Sequence, residues 1–453
     1  MIVQKTSKTA LSAGEIREVI AKALSTRALA GKRVLAVVPD HTRTCPLSML
    51  FRTLHDLATG AKAAQFDVLI ALGTHPPMTE EHINQLLGLT PEERKGKYGK
   101  VQVFNHLWKD PAALRQIGTI TEDEVVKITG GLLRESVPVT VNKLLFDYDH
   151  ILIVSPVFPH EVAGFSGGHK YFFPGVAAQQ IIDFTHWLGA VCTNPVIIGN
   201  RETPVRKVIE HAAAMIPTPR TCVAFVVGSG PSGDCPSGKA AGSEPGIIDR
   251  ELCKAPILGL FVGDVREAWA AAADFSAGHH IIWVDKPFKK VLSCAPKMYD
   301  DIWTAGKCMY KLESALADGA ELIIYAPHVT EVSYTHGKVL DRIGYHVRDY
   351  FLKQMDKFAG VPRGVIAHST HVKGIGTFEN GVERPRVNVS LATGISAERC
   401  KRINLGYVDP KSIDMDDWKG RESEGIVMIP KAGEHLYRLK DGSIPRIPGD
   451  PGA

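Results

Sequence analysis

The sequence predicts an α/β protein of two α/β domains with mainly parallel sheets. Three observations point there. Short β-branched apolar runs alternate with amphipathic helical stretches along the chain, the pattern of parallel strands joined by crossover helices. At 453 residues the chain is longer than one ordinary domain. With 44% hydrophobic and 23% charged residues, it can bury full cores.

The elements follow in order. AGEIREVIAKALS (13–25) and LSMLFRTLHDLATGA (47–61) carry apolar residues at helical spacing. Between and after them, RVLAVVPD (33–40), DVLIALGT (67–74), KVQVFNH (100–106), HILIVSPV (150–157) and TCVAFVVG (221–228) read as strands. HIIWV (280–284), KVLSCAP (290–296), ELIIYAPH (321–328), GVIAHST (364–370) and GIVMIP (425–430) read as a second set. Each is a short apolar run closed by Gly, Pro, Asn, Asp or His, as buried strands are. Residues 1–280 are expected to form an N-terminal α/β domain, 281–430 a C-terminal one, and 431–453 a tail whose end, SIPRIPGDPGA, is expected to fray.

Lys and Arg number 53 against 49 Asp and Glu, a net charge of +4, which is not the footprint of a nucleic-acid binder. The first residues show no charged-then-apolar leader, and no run is apolar for long enough to span a bilayer. Eight cysteines are scattered without a Cys-x-x-Cys pair, which reads as free thiols in a reducing, cytoplasmic setting. One decoy is Gly233-Asp-Cys-Pro-Ser-Gly238-Lys239-Ala240. It lacks the final hydroxyl of a phosphate-binding P-loop and no helical run follows, so it reads as a loop.

In open α/β sheets ligands gather at the carboxyl ends of strands. Those ends here carry Asp40, Arg43, His75, His160, Lys297 and Lys307. Singly, each has a plain structural reading: Asp40 a turn residue, His75 a satisfied turn histidine, Lys307 a solvated lysine. His186 in QQIIDFTHWLG would more often be a packed core histidine. Their joint placement is the signal. Two imidazoles can serve as acid and base on opposite faces of a substrate. Arg and Lys can hold a carboxylate. A lysine such as Lys170, in the apolar, Gly-rich HEVAGFSGGHKYFFPGV segment (160–176), can lose its proton and become a nucleophile. Pro174-Gly175 is expected to open a helix whose free N–H groups suit an anion, with His186 about three turns along it as a metal ligand.

The combination of DHTR, GTHPPMT, HEVAGFSGGHK…PGV, the later His186 and WTAGK resembles the nickel-pincer-dependent lactate racemase family. The resemblance runs from the DHTR strand to IVMIPKAGEHLY. It implies a nickel-pincer nucleotide, derived from nicotinic acid and joined to Lys170 by a thioamide, with His186 as the protein's nickel ligand. It implies His75 and His160 as the acid/base pair, Asp40, Arg43, Pro174 and Gly175 near the cofactor, and Arg43, Lys307, Trp303 and Thr304 near the substrate. The glycines of the 160–176 segment would let backbone approach the flat cofactor, which would sit in the cleft between the two domains. The implied activity is racemisation or epimerisation of a 2-hydroxy acid by hydride transfer, with pincer-cofactor synthesis proteins required upstream. A small-molecule acid is the expected partner, with no nucleic acid and no membrane, and a homo-oligomer stays open.

The sequence departs from the family at two places. Trp303-Thr304 stands where lactate-acting members carry Tyr-Gln, and His169 where Arg is usual, so the substrate need not be lactate. His368, His371 and Lys373 in HSTHVKG offer contacts for a second polar group, or only a polar loop packed between domains. The rival readings are a zinc hydrolase on His75, His160 and His186, pyridoxal phosphate on Lys170, and a non-catalytic carrier of the same fold.

Overall fold

The computed structural model describes residues 2–228 and 254–446. The P-loop-like stretch 233–240 and Cys235 and Cys253 lie outside them, as does most of the Gly/Pro-rich end. A seven-stranded sheet runs in the order Ile2–Thr6, Ile257–Gly263, Arg220–Val227, His150–Pro156, Arg33–Val38, Gln65–Ile70, Val103–Asn105. The last five strands are parallel, and the first two join antiparallel at one edge. The central Arg33–Val38 strand shows why its run is continuously apolar. Leu35 and Val37 enter one buried cluster, while Val34, Ala36 and Val38 enter another on the opposite face. A strand covered on both faces cannot alternate polar and apolar residues.

One of the covering helices, Ala13–Leu24, begins with a capping box in which Ser12 accepts from the Glu15 amide and Glu15 reaches back to the Ser12 amide. A second sheet, all parallel, runs Gly406–Tyr407, Asn388–Thr393, Leu316–Ala326, Phe288–Cys294, Ile426–Ile429. Both sheets reverse strand order beside a strand that feeds the site. In the first sheet Arg33–Val38 lies between Gln65–Ile70 and His150–Pro156, and in the second Phe288–Cys294 lies between Leu316–Ala326 and Ile426–Ile429. Such switch points open a crevice at the strands' carboxyl ends.

Three expectations need correction. GVIAHST lies in an α-helix, Arg363–Lys373, packed on the Gln179–Cys192 helix. It is buried from Val365 to Lys373, and a run buried all round carries no period to separate helix from strand. Pro174-Gly175 does not open a helix: it follows a short 3-10 turn, Gly168–Tyr171, and the helix starts at Gln179. His186 therefore lies about two turns in, not three. HIIWV forms Ile281–Val284, which pairs with Leu436–Leu439 instead of joining the second sheet. Among the described residues Cys222, Cys294, Cys308 and Cys400 are free thiols. Among the described residues no helix is long and apolar enough to cross a membrane.

Candidate active site

A cavity of about 160 Å³ lies at the carboxyl ends of strands from both sheets. Asp40, Arg43, His75, His160, Lys170, Pro174, Gly175, His186, Trp303, Thr304 and Lys307 all line it. Lys297, by contrast, does not line it and is exposed. The chain thus brings together side chains up to 267 residues apart, from Asp40 to Lys307.

The 160–176 segment is apolar because it is buried. Pro159–His160 and Gly164–Phe165 form a small hairpin. Ser155 Oγ accepts from the Gly168 amide at 2.8 Å, and Ser166 Oγ donates to the Pro156 carbonyl at 2.8 Å. Trp269 Nε1 donates to the Ser166 carbonyl, and Arg206 donates to the Phe165 carbonyl while stacking on Trp269. The glycines answer chiefly to this packing. At Gly164, φ is +77° and a Cβ would fall 1.9 Å from the Asn200 carbonyl oxygen. At Gly168, where φ is +59°, it would press on Trp269 at 3.0 Å. Of the glycines from 164 to 168, only Gly167 lines the cavity.

The histidines differ in which ring nitrogen is engaged. His75 Nδ1 donates to Asp40 Oδ2 at 2.5 Å, which leaves Nε2 as an acceptor when the ring is neutral. His160 Nδ1 instead accepts from the Val162 amide at 3.1 Å, so its proton sits on Nε2. Burial, with the Lys170 and Arg43 charges, drives the His160 pKa well below the ordinary value against the pull of Glu161, which favours the neutral ring. Asp40 is held by Thr42, whose amide and hydroxyl both donate to Oδ1 at 3.1 and 2.6 Å. Burial alone would raise the Asp40 pKa, but the His75 bond and the Arg43 charge outweigh it and keep it a carboxylate.

Burial lowers the Lys170 pKa to about 7, with help from the Arg43 charge, so the amine is substantially neutral near neutral pH. Burial and Arg43 also lower Lys307, to about 8, and its Nζ stands 4.8 Å from the Tyr299 ring centre. His186 Nδ1 donates to the Ile182 carbonyl at 2.7 Å. With burial disfavouring its charged form, Nε2 keeps a free lone pair, the state a metal-binding imidazole requires.

Among the described residues no group of three or more His, Cys, Asp or Glu side chains is placed to hold a metal. His75, His160 and His186 therefore do not form the ligand set a zinc hydrolase needs. His368, His371 and Lys373 are not cavity contacts either. His368 stacks on Trp303 at 4.2 Å, His371 pairs with Asn194, and Lys373 donates to the Asn404 carbonyl. His368 thereby backs the wall that Trp303 presents. His169 turns from the cavity to donate to Glu210 at 2.7 Å, tying the Lys170 turn to the helix behind it.

Glu161 is the site residue that sequence reasoning passed over. It lines the cavity with Oε2 3.5 Å from His160 Nδ1. Burial would raise its pKa, but its surroundings, the His160 ring first and then the Lys307 charge, hold it well below the usual range. Its signal was a carboxylate next to a reactive histidine at a strand end. Tyr310 also lines the cavity.

Residues 3–196 match the lactate racemase N-terminal domain. A lactate racemase of Thermoanaerobacterium thermosaccharolyticum is 30% identical over 161 residues, 34% of this chain and 32% of that protein. A lactate racemase of Lactiplantibacillus plantarum is 25% identical over 254 residues, 54% of this chain and 48% of that protein. The aligned part thus spans about a third and about half of these relatives' lengths. A crystal structure of a Thermotoga maritima protein is 30% identical, with a TM-score of 0.82, covering 96% of this chain and all of that one. The lactate racemase apoprotein of T. thermosaccharolyticum shares the fold at a TM-score of 0.68 and 18% identity, over 96% of this chain and 94% of its own. Residues 3–196 thus carry the lactate racemase N-terminal domain, and the chain as a whole is similar in fold to a lactate racemase.

Proposed function

We propose that the protein is a racemase or epimerase of a 2-hydroxy acid, working by hydride transfer to and from a nickel-pincer nucleotide tethered to Lys170. The observation that carries this reading is the pair of histidines in one cavity with opposite nitrogens engaged. The residues fit the group. Lys170 is an amine readily made neutral, as a covalent attachment needs, and His186 offers one free nitrogen to a metal that brings its other donors with it. A single imidazole suits a planar nickel site better than a tetrahedral zinc site. When bound, the nucleotide supplies a hydride acceptor and donor for the substrate α-carbon.

The remaining work falls to side chains. Arg43 and Lys307 hold the substrate carboxylate by charge-assisted hydrogen bonds. His75, its Nδ1–H fixed on Asp40, takes the hydroxyl proton at Nε2. His160, entering the cycle as the imidazolium, gives a proton from Nε2 to the oxygen of the planar 2-oxo acid and is left as the neutral ring. The opposite direction uses the same two groups with their proton states exchanged. Trp303-Thr304 makes an aromatic wall of a different shape from Tyr-Gln, so the substrate need not be lactate.

The two sheets are taken as the cores of domains 1–280 and 281–430, with the site in the cleft between them. The reading carries a cytoplasmic setting, a small-molecule acid as partner, and upstream proteins that make the pincer nucleotide. Co-expression with those proteins, followed by intact mass, peptide mapping and nickel analysis, tests it. A nickel-bearing adduct on Lys170 is expected, and racemisation of an enantiopure 2-hydroxy acid should follow it. An unmodified Lys170 without nickel, despite a working supply, overturns the reading.

A further inference from the structure

A second cavity of about 340 Å³ adjoins the first and shares Thr42, Arg43 and Lys307 with it. Its charges are lopsided. Arg43, Lys254, Lys307, Lys311 and Lys431 line it, and Glu434 is the carboxylate among its described lining residues. Lys311 is the telling member. It is 4% exposed, yet its Nζ has a backbone carbonyl acceptor, Glu434 O at 3.3 Å, and the Phe158 ring centre at 5.7 Å. Arg43 stands over the same ring at 5.6 Å, so two cations share one aromatic ring.

An ammonium carries three donors, and burying it is costly where the nearby carboxylates, Glu161 and Glu434, offset only part of the burial. Burial and the nearby Lys307 charge indeed lower the Lys311 pKa to about 7. His280 and His435, also in the lining, are held toward their neutral forms by burial and offer no countercharge. A chain that placed an apolar residue at 311 would avoid this cost. An anion arriving with a ligand would remove it.

We propose that the second cavity is a subsite for a second acidic group on the substrate, so that the natural substrates are 2-hydroxy acids with a carboxylate or phosphate at the far end. This rests on the racemase reading for the reacting end. With Lys307 on the shared wall, the reacting carboxylate and the distal group lie on either side of it. The phosphate of a nucleotide has the same chemistry as the distal group, and the experiment separates the two sources.

Calorimetric titration of the cofactor-free protein compares malate with 2-hydroxybutyrate, and repeats the pair on Lys311→Met and Lys431→Met. Malate should bind at least about tenfold more tightly to the unaltered protein. Lys311→Met should bring the ratio near one while leaving 2-hydroxybutyrate binding unchanged. Lys431→Met, at an exposed position where folding is not at stake, should lower the ratio several-fold. Protein carrying the Lys170 adduct should keep the malate preference. Equal affinities in the unaltered protein overturn the proposal. Loss of the preference on cofactor loading, together with nicotinate mononucleotide binding that Lys311→Met abolishes, overturns it in favour of the nucleotide phosphate. Failure of the racemase reading is read separately, as an unmodified Lys170, because this titration needs no turnover.

Discussion

Replacing Asp40 by Asn probes the proton chemistry with a change of one atom. Asp40 Oδ1 accepts from the Thr42 amide and hydroxyl, and Oδ2 accepts from His75 Nδ1. A backbone N–H can only donate, so the Asn carbonyl oxygen must take the Thr42 side. The Asn NH₂ then faces His75 Nδ1 and donates to it, which moves the imidazole proton to Nε2. His75 would lose the lone pair that the reaction uses. A positioned general base contributes roughly 10²–10⁴ in rate, about 3–5 kcal/mol of barrier at about 1.4 kcal/mol per tenfold. The assay is the initial rate of racemisation from one enantiomer by adduct-bearing protein, with nitrogen NMR of the histidine rings. Asp40→Asn should lose activity by that factor, keep the Lys170 adduct, and show His75 protonated at Nε2. A rate within about threefold of the parent, or His75 still protonated at Nδ1, would refute the reasoning.

Other outcomes follow from the same geometry. Glu161 raises the Lys307 pKa from the low value that burial sets, so Glu161→Gln should lower it further. Less Lys307 would then be protonated at pH 8, and KM for the hydroxy acid should rise there, with the alkaline limb of kcat/KM moving to lower pH. An unmoved limb would mean that Glu161 does not sense Lys307. In cofactor-free protein, peptide-mapped acetylation of Lys170 should rise with pH around a midpoint near 7, far below that of surface lysines at about 10.4. Arg43→Met should move that midpoint upward, because the Arg43 charge is among the causes holding it down. Gly164→Ala, which combines a positive φ with a Cβ 1.9 Å from the Asn200 carbonyl oxygen, should cost more than about 1 kcal/mol of stability in urea unfolding. A near-neutral result there would show that the turn relaxes freely.

The sequence by itself determined the strands, because the centre of a strand covered on both faces must be apolar, and VLAVV and ILIV are. It also determined the candidate residues. Parallel sheets collect chemistry at strand carboxyl ends, and Asp40, His75, His160 and Lys307 follow such ends. It misread GVIAHST, where burial on all sides erases the period that separates helix from strand, and it started the His186 helix four residues early at Gly175. Only the tertiary structure decided which nitrogen of each histidine is free, since that depends on Asp40 Oδ2 lying at one ring and the Val162 amide at the other. It alone turned His368, His371 and Lys373 away from the cavity and set Lys311 in a buried cationic one. Those outcomes depend on contacts between segments far apart in the chain, and local pattern carries no record of them.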